Sequence, residues 1–486
     1  MKATIPAISL FGLCASLLNV SAHEPLTFTA SPLNSMMPSE GLLQEQPEFG
    51  LKPGHNVIKV SVKGLAPAED LVRPALNLSL VIDRSGSMTG GKIEQAKEAA
   101  KQLVKRLSPK DLVSIVTYDS SVQVVVPATK ASDQAAILAA IDQISIAGNT
   151  ALFAGVSKGA SELRKFLDAQ SVNRVLLLSD GQANVGPSSP MQLAELGRSL
   201  AKEGITVSTI GLGLGYNEDL MTQLAMTSDG THSFVEEASN IAKVFDNEFQ
   251  SLQSIVATDL EASLTCGEGV RPVRVLGQEA DIDGQMVSFQ WQQLASGQER
   301  YFLLEVEVEA GSKGATLDLG QAELRFERLS TETGNSSQAL ANLGTIRFSP
   351  DLEAVVKSQN SEIAINLASQ LAVESSRRAL ALRDKGQLEE AQEVLLGNAS
   401  QIRKLNERYN DSRLSELEEE QNTYNELLEA KGEEYNRNRK DLTYRNANLS
   451  QQKSGYTDNS AKEMVKQGAP KNEKPKVQKK AQPKGR

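Results

Sequence analysis

The chain has 486 residues, with 51 Lys+Arg against 61 Asp+Glu and a formal net charge of −10. Hydrophobic residues make up 40% and charged residues 23%. These are globular proportions, so a wholly disordered or collagen-like chain is excluded, and roughly two to four domains are expected at this length. Aromatic residues are scarce at 4%, with one tryptophan, Trp291, which argues against an aromatic-lined sugar or nucleic-acid groove spread over the molecule.

In chain order, Lys2 is followed by a mostly apolar run, Ile8 to Leu18, and then by Val20-Ser21-Ala22, where a signal peptidase reads small residues. Residues 1–22 therefore read as a secretory signal peptide cleaved after Ala22. An uncleaved anchor is the competing reading, but the run is short of the roughly 20 residues of a membrane span. Leu13 stands before Cys14, where a lipoprotein needs a small residue. No later segment is apolar enough to cross a bilayer, so the mature chain is expected to be exported, periplasmic or at the cell surface, without a transmembrane helix. Cleavage would leave Cys266 alone, with no intramolecular disulfide and no cysteine zinc site. His23, His55 and His232 are far apart, so any metal is expected to be a hard ion held by oxygen.

Residues 23–75 look irregular and proline-rich, apart from an alternating strand at Asn56–Lys63 that joins a later β domain if the next domain is an insertion. From 76 to 252 short apolar runs alternate with amphipathic helices. The runs are Leu76–Ile82, Leu112–Tyr118, Val122–Val126, Val175–Leu178, Ile205–Leu212 and His232–Val235. The helices include Lys92–Leu107, Leu152–Leu167, Met191–Lys202 and Asn240–Leu252. This alternation predicts an α/β fold, a doubly wound and mostly parallel sheet covered on both faces. Val122–Val126 follows its predecessor too closely for a crossover and is expected as an antiparallel edge strand. Residues 253–350 switch to alternating segments that predict a β-sandwich-like domain. Residues 351–450 read as a helical region containing a hairpin that breaks at Asp384-Lys385-Gly386. Residues 451–486 read as a disordered basic tail. Residues 437–486 carry 14 Lys+Arg and 4 Asp+Glu, which would suit contact with an anionic envelope surface. No specific nucleic-acid partner is expected.

The chemistry concentrates in one place. The first α/β strand ends in Asp83-Arg84-Ser85-Gly86-Ser87-Met88, so one carboxylate and two hydroxyls share a tight turn where strand meets helix. The strand at Val175–Leu178 ends in Ser179-Asp180-Gly181, and Gly148-Asn149-Thr150 precedes a helix. Open α/β sheets bind ligands at the carboxyl ends of their strands. An all-oxygen set of low charge suits Mg²⁺, with Mn²⁺ or Ca²⁺ as alternatives. Helix capping by each Asp is the bland alternative.

With those residues in view, residues 76 to about 259 resemble a von Willebrand factor type A domain. Asp83, Ser85, Ser87, Thr150 and Asp180 match the Asp-x-Ser-x-Ser turn, distant Thr and distant Asp of that family's metal-ion-dependent adhesion site. The stretches 150–156, 178–186 and 211–219 further resemble the secreted bacterial branch related to calcium-activated chloride channel and inter-alpha-trypsin inhibitor heavy-chain proteins. The resemblance implies direct metal contacts from Ser85, Ser87 and, in a ligand-engaged form, Thr150. It implies water-mediated contacts from Asp83 and Asp180, and a partner protein whose acidic side chain completes the coordination. It also implies that the last α/β helix moves in relatives that switch.

Other chemistries fit less well. Gly86 to Lys92 has the spacing of a phosphate-binding loop, but Ile93 stands where a Ser/Thr should hold Mg²⁺. A serine hydrolase would need a histidine near Ser85 or Ser87, and only His232 is available in this region. A calcium store would need more carboxylates. The expectation is an exported, non-enzymatic, metal-dependent protein-binding or adhesion protein. The alternative is a cell-envelope scaffold or assembly factor that binds through its helical region or tail.

Overall fold

The computed structural model describes residues 25–43, 45–65, 73–168, 170–329 and 336–453. The leader expected at 1–22 and nearly all of the expected tail lie outside these residues. Among the described residues no helix is long and apolar enough to cross a membrane.

The N-terminal segment supplies three strands, β1 (Leu26–Pro32), β2 (Met36–Pro38) and β3 (His55–Gly64). The irregular reading of 23–54 therefore missed two. Both are short and rich in Thr, Ser, Met and Pro, with no long apolar alternation to announce them.

The α/β domain follows as β4 (Ala75–Asp83), α1 (Lys92–Arg106), β5 (Leu112–Tyr118), β6 (Val122–Lys130), α2 (Gln134–Asp142), α3 (Leu152–Leu163), β7 (Ser171–Ser179), α4 (Pro190–Ala201), β8 (Ile205–Leu212), α5 (Glu218–Thr227), β9 (His232–Val235) and α6 (Ile241–Gln253). The strand order is β6-β5-β4-β7-β8-β9. All neighbours are parallel except β5 and β6. Strands β7 and β8 are buried along almost their whole length, as expected of strands covered on both faces. One face packs against Ile93, Leu103 and Val104 of α1 and Phe245 and Phe249 of α6. The other packs against Val156 and Leu163 of α3, Leu193 of α4 and Leu224 of α5. Local signals agree with the helices. Glu94 lies in the first turn of α1 and Lys105 and Arg106 in its last, matching the helix dipole. Helix α4 begins with a Ser189/Gln192 capping box and Pro190 at its first position.

A β-sandwich follows from β10 (Ile255–Cys266), β11 (Val270–Leu276), β12 (Asp281–Asp283), β13 (Met286–Ala295), β14 (Glu299–Val308), β15 (Thr316–Asp318), β16 (Gly320–Arg328), β17 (Ser336–Asn342) and β18 (Thr345–Ser349). Its sheets have the orders β1-β3-β14-β11 and β12-β13-β10-β16-β17, with a small third sheet β15-β18-β2. Strand β3 sits between β1 and β14, with Ile58 opposite Leu304. The sandwich is thus assembled from chain on both sides of the α/β domain. Ile58, Val60 and Val62 point into its core with Trp291, Phe302 and Phe326. Val57 points the other way, towards helices.

Those helices are α7 (Leu352–Lys357), α8 (Ser361–Asp384), α9 (Leu388–Tyr409), α10 (Ser412–Leu427) and α11 (Gly432–Ser450). Ile363, Leu367, Ile402, Leu405 and Leu414 cover Val57, Tyr301 and Leu303 of the first sandwich sheet. These helices fill the helical region expected at 351–450; α8 and α9 are its hairpin, broken at Asp384-Lys385-Gly386, and α10 and α11 follow, with much polar surface and no wide apolar stripe. The tail boundary at 451 is too early. Gln451 is buried, and Lys453 donates to the Gly230 carbonyl at 2.7 Å.

The α/β domain meets the sandwich through buried charge. Arg174 reaches Glu248 at 2.8 Å and Gln293 at 2.5 Å, while Arg300 and the Gln292 amide both reach Asp229 at 2.7 Å. Removing one partner leaves the other uncompensated, so Arg300→Ala is expected to cost about 3 kcal/mol. Arg325→Ala, which breaks the exposed Arg325–Glu323 pair, should cost less than about 0.5 kcal/mol. Urea unfolding midpoints of the two variants test the contrast. Burial holds His232 down at about 3, with its ring on Thr209 and Tyr216. The unfolded chain protonates below its ordinary value, about 6.5, and the folded chain does not. The stability His232 confers is therefore complete above that value and lost as pH falls towards 3. A His232→Gln variant should lose less stability than the parent between pH 7 and pH 4, read from thermal midpoints.

Candidate metal centre

The strand order reverses between β4 and β7. Chain leaving β4 runs to one side through β5, and chain leaving β7 runs to the other through β8. Loops therefore diverge at the carboxyl ends of these two strands and open a crevice. Asp83 ends β4, and Asp180 directly follows β7.

Asp83 is fully buried. Its Oδ1 accepts the Ser85 amide at 2.8 Å and its Oδ2 the Ser179 hydroxyl at 2.7 Å. Burial pushes this carboxyl above the usual carboxylate range. The Ser179 and Ser85 hydrogen bonds draw it back, and the charge of Asp180 acts in the same direction as burial. After Asp83 the chain makes a 3-10 turn at Gly86–Met88, pinned by Met88, which is buried in the core. Gly90 and Gly91 then take left-handed backbone angles into α1. The turn brings Ser85 Oγ to 3.0 Å from Ser87 Oγ, and Ser87 Oγ donates to Asp180 Oδ1 at 2.6 Å. The other oxygen of Asp180 accepts from Lys92 Nζ at 2.5 Å.

Thr150 arrives from the loop before α3. Its backbone is clipped to the Asp180 loop: its amide donates to Asn184 Oδ1 at 2.9 Å, and its carbonyl accepts the Asn184 amide at 3.1 Å. The convergence is measured at Gly181. A Cβ there would stand 3.2 Å from Ser87 Oγ, 3.3 Å from Thr150 Oγ1 and 4.0 Å from Ser85 Oγ. Three hydroxyls thus face one small space, with the two carboxylates alongside. Among the described residues no three His, Cys, Asp or Glu side chains gather at one point, so the set is hydroxyl-rich with two carboxylates. That donor chemistry fits a hard divalent ion that keeps some water.

The structure brings all five sequence-selected residues to this crevice. Sequence reasoning missed Ser179 and Asn184, which hold Asp83 and Thr150, and Tyr118, buried beneath, whose hydroxyl donates to the Leu178 carbonyl at 3.3 Å. Only Ser179, adjacent to Asp180, carried a signal. His232 is turned to Thr209 and Tyr216, and Lys92, the phosphate-loop candidate, is committed to Asp180.

Residues 77–247 match the family model of the von Willebrand factor type A domain. The chain is 33% identical over 193 residues to YfbK of Escherichia coli, covering 39% of this chain and 34% of that protein. It is 28% identical over 290 residues to sll0103 of Synechocystis, covering 58% and 68%. It is also 26% identical over 194 residues to human inter-alpha-trypsin inhibitor heavy chain H3, covering 38% and 22%. The chain therefore spans about a third of the length of the Escherichia coli relative. A solved von Willebrand factor type A protein from Catenulispora acidiphila aligns with a TM-score of 0.61 at 16% identity, over 79% of this chain and 90% of that one, so the shared fold reaches beyond the α/β domain. Residues 77–247 are a von Willebrand factor type A domain, a module that commonly mediates protein–protein interaction.

Proposed function

We propose that the chain is an exported, non-catalytic binding protein that captures a partner protein through a divalent ion held by Ser85, Ser87, Thr150, Asp83 and Asp180. The observation that carries this reading is the convergence of three hydroxyls on the space beside Gly181, next to two carboxylates. Mg²⁺ is the proposed ion. When bound it would supply a Lewis-acidic position for an acidic side chain of the partner. Ser85, Ser87 and Thr150 would contribute neutral oxygens that leave the ion's charge largely uncompensated. Asp83, held by Ser179 and the Ser85 amide, and Asp180 would add negative charge from beneath. Export is supported by the leader-like sequence of residues 1–22.

Calorimetric titration of the purified chain with MgCl₂ or MnCl₂ should give saturable heat, which Asp83→Ala abolishes. Capture of a partner from envelope extract should disappear with EDTA and with Thr150→Ala. Capture that survives chelation and Asp83→Ala would instead place binding on the helical region or tail. A Gly181→Ala substitution adds a methyl among the three hydroxyls, in a backbone conformation that alanine accepts. It should leave the thermal midpoint within about 2 °C, a shift that corresponds to about 1 kcal/mol or less for a domain of this size. It should weaken Mn²⁺ binding about tenfold or more, a loss of about 1.4 kcal/mol. Unchanged affinity would mean that the ion does not occupy this space.

A further inference from the structure

The crevice contains a positive charge of its own. Lys92 is the first residue of α1, and its ammonium lies 2.5 Å from Asp180 Oδ2 and 3.3 Å from the Ser87 carbonyl. The Asp180 side chain has no exposure, whereas that of Lys92 keeps 34%. Across the cleft, a Cβ on Gly213 would stand 3.9 Å from the same ammonium, so Nζ is seated between the start of α1 and the β8–α5 loop. Asp180 thus has both oxygens engaged, one by Ser87 and one by Lys92. Arg84, the neighbouring cation, is turned away to Asp119 at 2.6 Å. A divalent ion among Ser85, Ser87 and Thr150 would share Asp180 with the Lys92 ammonium at a few ångströms, in surroundings that screen charge less than bulk water.

We propose that Lys92 is a tethered competitor for the divalent ion. The ammonium and the ion contend for Asp180, and Lys92 thereby sets the ion concentration at which the centre loads. The inference rests on the metal-centre reading above. Its physical content is that Asp180 stays neutralised by an internal cation whenever the ion is elsewhere, so Asp180 is not left as an uncompensated buried carboxylate. Loading then requires the ammonium to withdraw, and its partial exposure gives it water to withdraw into.

The test is calorimetric titration with MnCl₂ of the parent chain, Lys92→Gln, Lys92→Arg and Asp83→Ala. Glutamine retains a donor for Asp180 and the Ser87 carbonyl but carries no charge, whereas arginine retains the charge. The substituted side chain is partly exposed, so neither change opens a core cavity. Lys92→Gln is expected to bind Mn²⁺ about tenfold more tightly than the parent, and Lys92→Arg within about threefold of it. The rise in thermal midpoint on adding MnCl₂ should be larger for Lys92→Gln than for the parent. Affinity in Lys92→Gln equal to or weaker than the parent, with Asp83→Ala still abolishing binding, overturns the role of Lys92 and leaves the metal centre standing. If neither the parent nor any variant takes up Mn²⁺, the metal centre and the competitor fall together.

Discussion

Two carboxylates buried side by side at the ends of adjacent parallel strands create a demand for hydrogen-bond donors and positive charge. Asp83 and Asp180 occupy those ends because β4 and β7 run in the same direction and pair residue by residue, with Ile82 opposite Leu178. The chain answers with the Ser85 amide and the Ser179 hydroxyl on Asp83, and with Ser87 and Lys92 on Asp180. Such an arrangement is costly unless every buried oxygen is satisfied. Small polar residues and glycine dominate this end of the sheet because larger side chains would fill the space that the hydroxyls share.

The von Willebrand factor type A domain is not a bead on a string. It is inserted between β3 and β10, two strands of one sandwich. A helix that returns after a parallel strand ends beside that strand's start. The domain therefore enters at Ala75 and leaves at Gln253 at the end of the sheet opposite the candidate centre. The buried network of Arg174, Glu248, Asp229 and Arg300 lies at that attachment end. Helix α11 joins the two ends. Asn436 donates to the Leu214 carbonyl and Lys440 to the Tyr216 carbonyl in the loop after β8, while Lys453 reaches Gly230 at the turn before β9. Gln182 of the Asp180 loop donates to the Gly215 carbonyl of that same β8–α5 loop. The helical region is therefore in mechanical contact with the neighbourhood of the centre.

Much of this was legible before any coordinates. The alternation of buried strands with helices at 76–252 needs only periodicity, and the antiparallel edge strand β6 follows from the shortness of the turn before it. Asp83, Ser85, Ser87 and Asp180 were visible because they stand at strand ends and in one tight turn, and Thr150, ahead of a helix, because it matches the distant Thr of the family resemblance. Tyr118 and Asn184 were not. One is an apolar-looking residue inside a buried strand, and the other is an ordinary loop amide whose role depends on a partner 34 residues away. Within the helical region expected at 351–450, the separate helices beyond the hairpin were not told apart, for a related reason. Helices α10 and α11 bury polar side chains such as Gln421 and Lys440, which a hydrophobic-periodicity reading counts as solvent-facing.

By itself the sequence determined the strands and principal helices of the α/β domain, the class of fold and the identity of the oxygen donors, because local propensity and periodicity are written in neighbouring residues. The sequence suggested that β3 joins the later β domain, but tertiary structure alone decided that it pairs with β1 and β14, that α11 lies along the α/β domain, and that Lys92 turns to Asp180. Each of these depends on which distant groups share a buried space. There the energy of leaving a charge or a backbone group unpaired selects the partner, and no short-range pattern along the chain encodes that choice.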